Sequence, residues 1–186
     1  MKDLSWKKVS STYLFRDSWF TIRKDRCVTQ EGKIIDPYYV YEFPDWVTAV
    51  ALTEDGRMIF ERQYRHALGE TIYEIPGGCI DETDSSPQMA IARELEEETG
   101  YTFSAIEYLG KTSSNPSTNC NIMHMFLARG GRLNKVQHLD PNEEIEVVLF
   151  TMDEVIAMLK SNQIFQSMHV TALLYALERL GVLKMG

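Results

Sequence analysis

The strongest chemical signal in the sequence is a run of glutamates just before Gly100. Glu94, Glu97 and Glu98 are spaced three and four residues apart, so a helix would project all three from one face. Their charges repel one another, and they lie where the helix dipole is already negative. A divalent cation would turn this repulsion into attraction, because hard cations such as Mg²⁺ prefer carboxylate oxygens. The cluster therefore indicates a metal site, with a solvated acidic face paired to Arg93 as the simpler alternative.

A glycine pair precedes the acidic segment. Gly77-Gly78 follows Glu74-Ile75-Pro76, and glycine allows the backbone to approach a ligand closely. The combined pattern resembles the Nudix box, and its residues here are Gly77-Gly78, Ala90, Arg93-Glu94-Leu95, Glu97-Glu98 and Gly100-Tyr101. The family that this pattern resembles hydrolyses nucleoside diphosphates linked to another moiety, with the help of a divalent metal.

The resemblance implies roles for individual residues. Glu94, Glu97 and Glu98 would be metal ligands together with the backbone carbonyl of Gly77, and Glu97 and Glu98 would also take part in catalysis. The expected cofactor is Mg²⁺ or Mn²⁺. Arg93 would have a structural role, because it would hold one glutamate through a salt bridge.

The spacing departs from the family pattern at one point. Gly78 and Arg93 are fifteen residues apart, which is one more than the pattern has. The additional glutamate of the pattern is therefore replaced by Asp84 or Ser85, depending on the direction of counting. Since that glutamate usually lies outside the main metal cluster, the resemblance still implies an active enzyme.

Outside the box, the sequence resembles the ADP-ribose pyrophosphatase branch of the family. The resemblance is carried by Arg62-Gln63-Tyr64-Arg65 ahead of Glu74, by Pro116 fifteen residues after Tyr101, and by the acidic segment 142–147. It implies that Glu143 is the catalytic base, with Glu144 and Glu146 as alternatives. It also implies a substrate-binding set that includes Arg62, Arg65, Glu74 and Pro116.

The substrate-binding candidates have ordinary structural alternatives. Arg65 could hold a phosphate through two hydrogen bonds, but Arg62 and Arg65 could also be surface charges. Trp19 and Tyr38 are candidates to stack on the nucleotide base, as an aromatic of the N-terminal sheet does in the resembled enzymes. Core packing is the alternative for both rings.

The expected reaction is hydrolysis of the pyrophosphate bond of ADP-ribose, which gives AMP and ribose 5-phosphate. Metal ions neutralise the charge of a diphosphate and lower the pKa of the attacking water, and a loop carboxylate can remove the proton. Two alternative functions are also compatible with the sequence. The substrate could be GDP-mannose or another nucleotide sugar, or the domain could sense nucleotides without catalysis.

The elements that must position these residues can be predicted from periodicity and turn signals. Strands are expected over the segments 19–28, 38–43, 46–53, 57–63, 122–128 and 145–151. A helix is expected over 87–99, capped by Ser85 or Ser86 and ended by Gly100, and others near 151–154 and over 167–180. The order predicts an α+β fold with a mixed sheet, and the family resemblance specifies a Nudix α/β/α sandwich.

A soft boundary near Pro44 separates two predicted regions. Residues 1–44 would form a small antiparallel sheet for dimerisation and base binding, and residues 45–186 the hydrolase domain. Residues 13–43 are too few for a core of their own, so a homodimer is expected.

Composition limits the remaining choices. The chain has 186 residues and a formal net charge of −8, which argues against broad nucleic-acid binding. No apolar stretch is long enough for a membrane span, and the N-terminus shows no secretory signal. Cys27, Cys79 and Cys120 fit neither a disulfide framework nor a zinc site, which favours a cytoplasmic location.

Overall fold

The computed structural model describes residues 1–184, which separate into two units. The first unit contains Met1–Pro44 and the segment Ser113–Asn121, and the second contains Asp45–Thr112 and the chain from Ile122 onward. No helix among these described residues is long and apolar enough to cross a membrane.

The first unit is a three-stranded antiparallel sheet. Its strands are β1 (Trp6–Arg16), β2 (Thr21–Thr29) and β3 (Ile34–Glu42), in that order across the sheet. The segment 113–121 is joined to β3, because the N–H of Tyr41 donates to the carbonyl of Thr118 at 2.8 Å. Every residue of β1 is exposed in the single chain.

The expectation that the first strand begins at Trp19 is wrong. Trp19 lies in the bend between β1 and β2, where the Asp17 carboxylate accepts the N–H groups of Trp19 and Phe20 at 2.9 and 2.8 Å. Such Asx turns divert the backbone from a ladder. The sequence prediction missed β1 because its apolar residues do not alternate with polar ones, as they do in a strand with one buried face.

The second unit is built on a seven-stranded sheet. Its strands are β4 (Trp46–Thr53), β5 (Met58–Arg65), β6 (Glu70–Glu74), β7 (Tyr101–Thr102), β8 (Ala105–Thr112), β9 (Met123–Leu133) and β10 (Ile145–Phe150). The main order is β10-β5-β4-β9-β7, with β6 beside β5 and β8 beside β9. Because β4 and β9 are parallel and the other pairs antiparallel, the sheet is mixed, as expected.

Helices cover both faces of this sheet. They are α1 (Pro87–Thr99), α2 (Met152–Lys160) and α3 (Ser167–Arg179). Alternate residues of β4 point to opposite faces: Val47 and Ala49 pack with the α1 side chains, whereas Val50 and Leu52 pack with α2 and α3. This layering confirms the α/β/α sandwich.

The predicted boundaries of the central helix are confirmed. Ser86 caps α1 by accepting the Met89 N–H, Pro87 occupies its first turn, and Gly100 ends it with a left-handed backbone at φ 73°. The capping box at the start of α2 also forms, since Thr151 and Glu154 exchange both hydrogen bonds. These ends are set by local sequence, and they fix where the acidic face of α1 stands.

Candidate active site

The glycine loop before α1 lies directly against β4. The N–H groups of Val47 and Ala49 donate to the carbonyls of Gly78 and Pro76 at 2.9 and 3.0 Å. Gly77 has φ 156°, and a Cβ there would stand 2.2 Å from the Val47 carbonyl oxygen. A Cβ on Gly78 would stand 2.4 Å from a carboxylate oxygen of Glu94. Both glycines are therefore required, one for contact with the strand and one to leave room for a carboxylate.

The carboxylates of Glu94 and Glu98 face this loop from α1. Glu98 is 5% exposed, and its Oε2 accepts the Gly77 N–H at 2.9 Å. Burial raises the pKa of Glu98 well above its ordinary value, and the charges of Glu61 and Glu94 raise it further. Burial also raises the pKa of Glu94 to about 7, although Arg93 opposes the shift. The cost of burying these acids is what a bound cation would offset.

A further buried acid, which the sequence prediction missed, joins Glu94 and Glu98. Glu61 on β5 is 3% exposed, and its carboxyl group interacts with that of Glu98. Burial raises its pKa to about 8, with smaller contributions from Glu74 and Glu143. One sequence signal could have identified Glu61: it is a glutamate directly after the apolar run Met58–Phe60. Two residues after Ile59, it lies on the same face of β5, and Ile59 packs against α1.

Arg93 ties the acidic helix to the loop. Its guanidinium lies 3.0 Å from Asp84, 2.9 Å from Glu97 and 3.1 Å from Glu94, and it donates to the Cys79 carbonyl at 3.1 Å. Arg93 in turn lowers the pKa of Asp84. The loop is one residue longer than the family pattern, and Asp84 or Ser85 could have taken the place of the additional glutamate. Asp84 is the residue of the two that pairs with Arg93.

Glu97 stands apart from the other two predicted ligands. Its carboxylate forms the i,i+4 ion pair with Arg93 and is half-exposed. The simpler interpretation of the acidic run was an ion pair between Arg93 and Glu97. This pair is present, next to the partly buried Glu94 and the buried Glu98.

The acidic segment before β10 separates its three candidate bases. Glu143 turns back on its own loop, where its Oε2 accepts the Asp140 N–H at 3.1 Å. The Glu143 charge also raises the pKa of both Glu61 and Glu94, by less than their burial does. Glu144 is exposed, and Glu146 is paired with Arg62 at 2.9 Å on the surface. Of the three, Glu143 is the one whose charge acts on the buried acids.

Arg65 and Glu74 form the polar edge of the cluster. Arg65 Nε donates to Glu74 Oε2 at 2.6 Å, and the Glu74 side chain is buried while that of Arg65 remains half-exposed. Arg65 therefore keeps guanidinium N–H groups available to a ligand, whereas Arg62 is engaged by Glu146.

The other predicted substrate-binding residues belong to the first unit. The ring of Trp19 is 65% exposed. Tyr38 packs edge-on against Trp6 at 5.7 Å, and its hydroxyl donates to the Ser117 carbonyl at 2.5 Å. Pro116 is exposed beside Ser117. Tyr38 and the Pro116 segment thus lie together, whereas the Trp19 ring stays open to solvent.

The donor set of the second unit fits a hard divalent cation. In the part of the chain that the structure describes, no three acidic, histidine or cysteine side chains are arranged as a complete metal site. Mg²⁺ usually takes only one or two protein carboxylates and fills its shell with waters and substrate phosphates. Glu94 and Glu98 could supply these carboxylates. The buried Oε1 of Glu61 is a further oxygen without a hydrogen-bond partner among the described residues.

Comparison with known proteins supplies the family. Residues 43–170 match the model of the NUDIX domain. The chain belongs to the Nudix family. Residues 6–41 of this Nudix protein match the model described as the nucleoside diphosphate sugar hydrolase N-terminal domain. Both matches confirm the resemblance that the glutamate–glycine pattern carries.

Three relatives cover most of the Nudix protein. The methanol dehydrogenase activator of Bacillus methanolicus is 31% identical over 73% of this chain and 74% of its own. The ADP-ribose pyrophosphatase of Bacillus subtilis is 28% identical over 94% of each chain. The GDP-mannose pyrophosphatase of Pectobacterium atrosepticum is 28% identical over 89% of this chain and 91% of its own.

A solved structure shares the fold. A crystal structure of an ADP compounds hydrolase superposes with a TM-score of 0.83, at 22% identity, over 98% of this chain and 100% of that one. The similarity confirms the predicted fold class.

Proposed function

We propose that this protein hydrolyses the pyrophosphate bond of a nucleoside diphosphate sugar, and that ADP-ribose is its preferred substrate. The observation that carries the proposal is the pair formed by the buried Glu98 and the partly buried Glu94 beside the Gly77-Gly78 loop. The family match and the relatives named as ADP-ribose pyrophosphatases support the same reaction. The products would be AMP and ribose 5-phosphate.

Glu94, Glu98 and the Gly77 carbonyl would hold Mg²⁺ or Mn²⁺, with Glu97 as a further ligand once it leaves Arg93. When bound, the cation would neutralise phosphate charge and lower the pKa of a bound water. The protein residues would do the rest. Glu143 would accept the proton of the attacking water, as its place in the acidic segment before β10 implies by resemblance to the family.

Arg65 and Arg93 would have different tasks. Arg65 would donate to phosphate oxygens with the N–H groups that Glu74 does not use. Arg93 would keep the loop and α1 in register through Asp84. Trp19, with its exposed ring, would stack on the base, and the Tyr38–Pro116 region would contact the adenosine moiety.

The assembly is part of the same proposal. Strand β1 exposes Val9, Leu14 and Phe15, each at least half, and a strand with no buried face gains little from folding alone. A second copy of the chain would cover this sheet and give a homodimer. A fully active monomer by light scattering at micromolar concentration would contradict this. Three free cysteines support a cytoplasmic location.

Two relatives define the alternatives. The relative named as a GDP-mannose pyrophosphatase favours the same chemistry on a substrate with another base. The metal site alone does not distinguish ADP-ribose from such a substrate. The relative named as a methanol dehydrogenase activator favours the other alternative, a nucleotide-sensing domain that acts without catalysis. The buried acids support an enzyme.

A substrate panel with Mg²⁺ and Mn²⁺ tests the proposal. ADP-ribose, GDP-mannose and other nucleotide sugars are incubated in H₂¹⁸O, and the products are analysed by mass spectrometry. We expect label in one phosphate product and none in free sugar. Cleavage of GDP-mannose but not ADP-ribose would leave the mechanism and change the substrate. Release of ADP and free ribose would overturn the mechanism.

A further inference from the structure

We propose that Glu61 is an additional cation ligand, which adds a carboxylate from the sheet to those of the helix and binds a divalent cation together with Glu98. This inference rests on the proposed function, because it extends the same metal centre. Neither the sequence pattern of the Nudix box nor the acidic segment before β10 contains this residue.

The position of Glu61 is unusual for an acid. It lies on β5, which has strand neighbours on both sides, and its side chain points toward α1, on the same side as Ile59. It is 3% exposed, and its Oε1 has no hydrogen-bond partner within residues 1–184. A buried carboxylate oxygen without a partner loses its hydration and gains nothing in return.

The neighbours of Glu61 increase this cost. Its cross-strand partner in β6 is Glu74, and like charges in directly opposed positions destabilise a sheet. Arg65, whose positive charge acts on Glu61, donates its short hydrogen bond to Glu74 instead. The contact that Glu61 does make is with Glu98, a second acid.

A cation explains the arrangement. Glu98 is oriented by the Gly77 N–H, and its carboxyl group interacts with Glu61 on the strand and feels the charge of Glu94 on its own helix. The two carboxylates Glu98 and Glu61 therefore present oxygens from two rigid elements toward one place. Hard divalent ions accept such oxygens and complete their shell with water and phosphate.

Direct metal binding tests the inference without turnover. Mn²⁺ is titrated into metal-free protein without substrate, and bound and free ion are measured by electron paramagnetic resonance. The proteins are wild type, Glu61→Gln, Glu61→Val and Glu98→Gln, with Glu178→Gln as the matched control because Glu178 is exposed on α3. We expect both Glu61 variants to bind Mn²⁺ at least about tenfold more weakly, and the control to bind as wild type does.

Thermal denaturation without metal gives the second readout. Both Glu61 variants should be at least as stable as wild type, because each removes a buried, poorly compensated charge. They should also lose most of the stabilisation that Mn²⁺ gives to wild type.

Each outcome decides a different question. Wild-type Mn²⁺ affinity in both Glu61 variants would overturn the inference alone. Marked loss of metal-free stability in both would also overturn it, since Glu61 would then be a structural partner of Glu98. A wild-type protein that neither binds Mn²⁺ nor cleaves any nucleotide sugar would overturn the proposed function and, with it, the inference.

Discussion

Replacing Glu98 with glutamine should separate catalysis from folding. The amide keeps the shape of the side chain and can still accept the Gly77 N–H, which now lies 2.9 Å from Oε2. It cannot supply a charged ligand. Loss of one preorganised electrostatic contact at a reacting centre costs about 10²–10³-fold in turnover, which corresponds to roughly 2.7–4 kcal/mol. We expect Glu98→Gln to lose at least about a hundredfold in the rate of ADP-ribose cleavage.

The same change should raise the stability of the metal-free protein. Glu98 is 5% exposed and faces another acid, Glu61, to which a glutamine amide can donate at any pH. Satisfying a buried polar pair is worth about 1–3 kcal/mol. For a chain of this length each kcal/mol raises the Tm by roughly 2–4 °C. The expected rise in Tm at pH 8 in the presence of a chelator is therefore at least about 2 °C.

The assay pairs chromatography of AMP with thermal denaturation. Glu96→Gln is the matched control, because Glu96 lies on the same helix but pairs with Lys135 at 3.2 Å, away from the cluster. It should leave turnover near the wild-type rate. Near-native activity in Glu98→Gln, or an unfolded variant with native specific activity, would refute the metal-site reasoning.

Three further predictions follow from the site. In metal-free protein the Tm should fall as pH rises from 5 to 8. Burial raises the pKa of Glu61 from 4.5 to about 8 and that of Glu94 to about 7, so the folded state holds protons that the unfolded state has lost. A flat Tm profile over this range would contradict the prediction. Gly78→Ala should reduce turnover about tenfold or more, because its Cβ would stand 2.4 Å from Glu94 Oε1, and an unchanged kcat would show that the carboxylate position is irrelevant. Trp19→Ala should raise the KM for ADP-ribose by about 5–150-fold, the value of one base–aromatic stack of about 1–3 kcal/mol, while a KM equal to wild type would exclude stacking.

The helix that carries the acids was predictable because its signals are local. Ser86, Pro87 and Gly100 mark its ends within the segment itself, and the spacing of Glu94, Glu97 and Glu98 follows from the helical repeat. The capping box at Thr151 is local in the same way. Such local signals act independently of the contacts that the rest of the chain makes.

Contacts between distant segments were not predictable from the same signals. Glu61 joins the site because β5 pairs with β6 and faces α1, and nothing near it in sequence announces Glu98. Counting along the loop left Asp84 and Ser85 equal, and the geometry of Arg93 decides between them. Strand β1 gave no alternation because it has no buried face within the single chain.

The charge balance of the site links its stability to its chemistry. Glu61, Glu74 and Glu98 are all buried, but the ion pair that Arg65 makes within residues 1–184 is with Glu74. Arg93 is shared among four acids, which are Asp81, Asp84, Glu94 and Glu97. The excess of buried acids destabilises the folded state. This cost must be offset by the packing of the apolar layers on both faces of the sheet. On the proposed function, a divalent cation would remove this excess. Such a cation would in turn be suited to bind the diphosphate of a nucleotide sugar.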